Sequence, residues 1–183
     1  SDGNERLSEE NVLYFIEKNS PILTDWQREL VRIVRKVAQY FYPQYQTKVM
    51  NEGWATFSHF FIMNRLHDKG LLTDGAMLEF FHTHSGVMFQ PSFDMKGYNG
   101  FNPYYLGFEM FRDIRRICEN PTTEDKEWFP SFAGSDWLET CLHAVESYRD
   151  ESFIKQFLSP TMIRKMHLFT LNNNTTSQNY IVK

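Results

Sequence analysis

Apolar residues recur at three- and four-residue steps through most of this chain, a period that commits it to helices. Trp26, Leu30, Ile33, Val34, Val37, Ala38 and Phe41 show the pattern, with Arg28, Arg32, Arg35 and Lys36 on the other side. Thr24 followed by Gln27 has the spacing of a capping box, so this helix should run to about Tyr42, where Pro43 ends it. A shorter helix from Ser8 to about Lys18 precedes it and is broken by Pro21. A long third helix is expected from about Gln44 to Lys69, with Gly70 as its C-terminal stop. It is apolar on more than one side, the pattern of a central, buried rod.

Thr73 caps a fourth helix to about Thr83, after which the pattern collapses. Ser85 to Gly100 mixes Gly, Pro, Ser, Asn and Asp with scattered rings, and long irregular segments of this kind often carry function. Asn102, with Pro103 at the first helical position, opens a helix to about Glu119. Short helical segments follow Thr122 or Thr123, Ser135, Asp150 and Ser159. From His167 the residues alternate as in a strand, turn at Asn172 to Ser177, and alternate again at Tyr180 to Val182. The expected fold is mainly α: a multi-helix domain over residues 1–166 around a long buried central helix. A short β-hairpin or strand pair over 167–183 should lead toward further chain.

With 183 residues the chain can bury a substantial core, and seventeen phenylalanines imply that rings dominate it. A net charge of −4 argues against a nucleic-acid footprint. The one basic run, Arg112 to Arg116, is interrupted by Asp113 and reads as the wet face of a helix. Cys118 and Cys141 form no C-x-x-C unit and are too sparse for a disulfide framework, so two buried or part-buried free thiols in a reducing cytoplasm are expected. No apolar run approaches the roughly 20 residues of a membrane span. Ser1 to Arg6 lacks the regions of a signal peptide and reads as an interior starting point of a longer protein.

Chemistry is best sought at Asn51-Glu52-Gly53-Trp54-Ala55-Thr56-Phe57-Ser58-His59. Glu52 and His59 lie almost two helical turns apart, so both leave from nearly the same face, among Trp54, Phe57, Phe60 and Phe61. A carboxylate and an imidazole there must pair, bridge helices or bind a metal, and this donor mixture suits zinc or iron. Glu79-Phe80-Phe81-His82 has the Glu-x-x-His spacing of di-metal bundles, but no second such unit follows. If the fourth helix ends near His82, His82 and His84 both face the irregular segment and add to a polar pocket. Within that segment Phe93, Tyr98 and Phe101 suit a carbohydrate or peptide groove, or else seal the loop onto the core. His-Glu-x-x-His, Gly-x-Ser-x-Gly and nucleotide-binding glycine motifs are all absent.

Asp25-Trp26-Gln27-Arg28-Glu29, Thr47 to Ala55, Gly107 to Arg116, Ala133 to Leu138 and Asp150 to Ile154 together resemble the SpoVR (stage V sporulation protein R) family of bacteria. Ser58 departs from the family's pattern, which has an aromatic residue there. The resemblance implies a central piece of a longer cytoplasmic protein tied to spore cortex formation or stress response. It also implies a possible partner, a serine-kinase-like stress protein. Separately, Asn51 to Ala55 is similar to the Asn-Glu-Gly-Phe-Ala of gluzincin aminopeptidases, which would make Glu52 a zinc ligand. Two functions follow as expectations. One is a metal-dependent, hydrolase-like protein with Glu52 as ligand and His59 as ligand or its support. The other is a non-catalytic helical scaffold docking a protein through the aromatic loop.

Overall fold

The computed structural model describes residues 8–92, 94–172 and 179–182, and the chain divides after Gln46 into two units. The first unit pairs α1 (Ser8–Asn19) with α2 (Asp25–Tyr45). Gln27 Oε1 accepts from the Thr24 N–H at 2.9 Å, the reach-back contact of the expected cap. Arg28 donates to the carbonyls of Glu17 at 2.7 Å and Ser20 at 2.5 Å, satisfying C-terminal acceptors that α1 leaves open. Arg35 meets the buried Glu17 carboxylate at 3.1 Å and lies over the Tyr14 ring. Polar groups therefore make the named contacts between these helices.

Pro43 lies inside α2 instead of ending it. Too little helix follows for the lost hydrogen bond and the clash with the preceding turn to break it. The third helix accordingly starts later than the periodicity suggests.

The second unit comprises α3 (Lys48–Asp68), α4 (Asp74–Val87), α5 (Pro103–Glu119), α6 (Thr123–Trp128), α7 (Trp137–Ser147), α8 (Asp150–Phe157) and α9 (Pro160–Lys165). Its central helix is α5, not α3. Ten residues of α5 are buried, Met110, Phe111, Ile114 and Ile117 completely, whereas in α3 only Met50, Gly53, Thr56 and Phe57 are buried. The apolar breadth of α3 serves neighbours on different sides, and Ile62 remains exposed. Rings link the helices: Phe111 to Trp54 at 5.2 Å and to Phe153 at 5.0 Å, then Phe153 to Phe157 and Phe157 to Phe132. Cys118 and Cys141 are buried free thiols, and burial pushes the Cys141 thiol up to about 12.

Two polar devices lock this unit. Asp150, the first residue of α8, accepts the Val49 and Met50 N–H groups at 2.9 Å each and so caps α3 from a hundred residues away. Arg116 forks onto Asp125 at 2.6 and 2.9 Å and reaches Asp113 at 2.7 Å. Asp113 in turn accepts from Ser159, the cap of α9. The Arg116 guanidinium holds the Asp125 carboxyl far below the usual carboxylate range. Arg115 stacks between Phe61 and Trp137, each ring centre 5.1 Å away. Arg115 and Arg116 are thus committed to the fold, while Arg112 stays on the solvated side of the helix.

The expected class, mainly α with a terminal β element, needs correcting: the architecture is all-helical. Segments 169–172 and 179–182 are antiparallel partners of each other alone, Phe169 opposite Val182, and form no layer of the fold. Alternating residues specify a strand only where a sheet face awaits them, and among the described residues helices alone build the packed layers of each unit.

Candidate functional site

The Asn51–Ala55 segment sits where α3 crosses α5 in backbone contact. A Cβ on Gly53 would fall 2.3 Å from the Gly107 Cα, and one on Gly107 would fall 2.2 Å from the Val49 carbonyl oxygen. Only paired glycines allow that approach. The crossing sets the first turn of α5 beside Glu52, whose carboxylate, with burial, raises the Tyr104 pKa. Tyr104 and Gly107 were not singled out from the sequence. Two glycines inside helices were the available signal.

His59 does not join Glu52. Seven residues return a side chain to the same face but carry it about 10 Å along the axis, while zinc ligands sit at about 2 Å from the ion. Glu52 engages α5, whereas His59 is exposed with its ring edge-on to Phe80 of α4 at 5.0 Å. Among the described residues no hydrogen bond or ion pair connects the two, and no three His, Cys, Asp or Glu side chains are grouped to hold a metal ion. Glu52 and His59 thus do not converge on one ion.

His82 and His84 also part company. Helix α4 continues to Val87, so two residues turn them to different sides. His82 is exposed, while His84 lies among Phe60, Phe80 and Phe108 with ring centres 5.1 to 5.4 Å away. Burial, then the nearby His59, lowers the His84 pKa, which keeps its imidazole neutral at neutral pH. Its Nε2 is buried without a hydrogen-bond partner, as is the Ser58 hydroxyl, at the position where an aromatic residue was expected. Each such atom costs roughly 1–3 kcal/mol.

The segment after α4 is irregular but tied down. Asn102 Nδ2 donates to the carbonyls of Val87 at 2.8 Å and Phe89 at 3.1 Å, and its backbone N–H reaches Gln90 Oε1 at 2.7 Å. Gln90 donates onward to the Gly100 carbonyl. Phe101 packs against the core, Tyr98 is half-buried, and Phe93 lies outside the described residues. The rings that do face solvent are Phe89, 63% exposed, and Phe81 on α4, with Met95 and Leu78 also open.

No helix among the described residues is long and apolar enough to cross a membrane. No solved structure matches the chain. An uncharacterized protein of Escherichia coli (strain K12), YcgB, is 61% identical over 163 residues, which is 89% of this chain and 32% of that relative. The chain therefore spans about a third of the curated relative it matches. The model of the SpoVR like protein family matches residues 3–183, through both the Gly53–Gly107 crossing and the Arg116 network, and the chain belongs to that family.

Proposed function

We propose that this region is a helical docking module of a SpoVR-family protein, binding a protein partner through the surface of α4 and residues 88–102. The observation that supports it is a pinned segment whose apolar side chains point out. Asn102 and Gln90 hold the backbone, yet Phe89 is 63% and Met95 55% exposed. An ordered segment loses little conformational entropy on binding, and exposed rings beside ordered backbone are typical anchors. The partner in this reading is a serine-kinase-like stress protein, in a cytoplasmic role tied to stress response or spore cortex formation. Glu52 serves the α3–α5 crossing and not a hydrolytic metal.

Capture of the purified kinase-like protein by the full-length protein tests this. Phe89→Ser with Met95→Ser should weaken it at least about tenfold with the helical circular dichroism unchanged. Undiminished capture by that variant would remove the surface from consideration. Glu52→Gln should leave capture intact.

A further inference from the structure

The two faces of α2 are used in the reverse of the usual order. Arg28 and Arg35 carry the polar anchors to α1, and Val31 between them is half-buried. The opposite stripe is open: Trp26 is 64% exposed, Leu30 51%, Ile33 48% and Val37 50%, and no residue of α2 is buried. A stripe of this kind covered by nothing would expose apolar area along the whole helix, which folded proteins rarely leave without an occupant.

The spacing of the stripe identifies a seam. Trp26, Leu30, Ile33, Val37 and Tyr40 alternate four- and three-residue steps, the a/d pattern of a coiled coil. The flanking charges then discriminate between orientations. Glu29 and Lys36 both fall at the g position, and the e positions hold Gln27, Val34 and Phe41. Parallel copies would set g against e, placing Glu29 and Lys36 against uncharged residues. Antiparallel copies set g against g and e against e. When Leu30 of one copy faces Ile33 of the other, Trp26 faces Val37, and Glu29 of each copy meets Lys36 of its mate. Large faces small in the outer layer, Val34 and Phe41 at e extend the seam along one edge, and the two Glu29–Lys36 pairs close the other.

We propose that α2 pairs antiparallel with α2 of a second copy of this chain, about a two-fold axis between Val31 and Arg32, in the Leu30–Ile33 register. Glu29–Lys36 ion pairs between copies select that register. The pairing is independent of what binds α4.

Sedimentation equilibrium on the chain, and on the full-length protein, tests it with charge variants at exposed positions that leave the α1 contacts untouched. The wild type should dimerise below about 100 μM. Glu29→Lys alone and Lys36→Glu alone should each weaken the dimer at least about tenfold, because each sets like charges at both symmetry-related pairs. The double swap Glu29→Lys/Lys36→Glu should return it to within about threefold of wild type. A monomer at about 100 μM overturns the proposal, its stripe then being covered by another part of the chain or by a different partner. A monomer that instead binds vesicles of anionic lipid overturns it in favour of a membrane surface. A dimer indifferent to the single swaps, or not restored by the double swap, rejects this seam.

Discussion

The two units of this chain use the same ingredients in opposite ways. In the α1–α2 unit, a buried Glu17 carboxylate and two arginines make the contact while the apolar stripe of α2 stays open. In the α3–α9 unit, phenylalanines fill the centre and charges tie its helices together around α5. Both contain amphipathic helices with clear three- and four-residue periods. An apolar face therefore states that something must cover it, not what does, and only the second unit supplies its own cover.

The sharpest way to test that contrast is to remove the cation that organises the second unit. Arg116→Met strands Asp125, which is fully buried, and should destabilise the unit by about 3–5 kcal/mol in urea denaturation. The pH dependence follows from the same pair. The Asp125 carboxyl is held below its unfolded value, so its contribution is complete above the ordinary aspartate range. It fades as pH falls toward the lowered folded value. Wild type should lose stability in acid, and Arg116→Met should show a flatter acid limb; parallel curves would mean that the pair is not what couples folding to protons.

Gly53→Ala comes next. Its methyl would collide with backbone, which cannot rotate away, so α3 and α5 must separate at a cost of about 3 kcal/mol. An unchanged denaturation midpoint would show that the helices do not cross in contact. Asp150→Ala removes one residue that serves two helix N–H groups and should cost about 1–2 kcal/mol. Val34→Thr in α2 is the smallest. That side chain is 56% exposed, and an isosteric hydroxyl there should change stability by no more than about 0.5 kcal/mol at concentrations below dimer formation. A loss as large as at a core position would show the stripe to be covered within the monomer and would erase the difference between the units.

Much of the local structure was legible. Thr24 with Gln27, Thr73, Asn102 with Pro103, and Ser159 with Pro160 mark helix starts that the structure contains, because caps depend on neighbours in sequence. The candidate site was less so. Glu52 and His59 share a helical face, but a face is a direction and not a distance, and the two turns between them assign each to a different neighbour. His82 and His84 were separated by one further turn of α4 that the weak pattern at Thr83 to Val87 did not announce. Exposure in the aromatic segment fell on Phe89 and Met95, not on Phe101, because the segment's path is set by Asn102 and Gln90.

By itself, then, the sequence determined most helix starts, the ring-rich core, the two free thiols and the family, while the terminal β element it suggested did not become part of the architecture. Those depend on short-range periodicity, on caps, or on overall similarity. Tertiary structure decided that α5 and not α3 is central, that Glu52 turns to Tyr104, and that Asp150 and Arg116 lock distant helices. Each of those depends on which pair of helices can approach most closely, and that was settled by two glycines 54 positions apart meeting backbone to backbone.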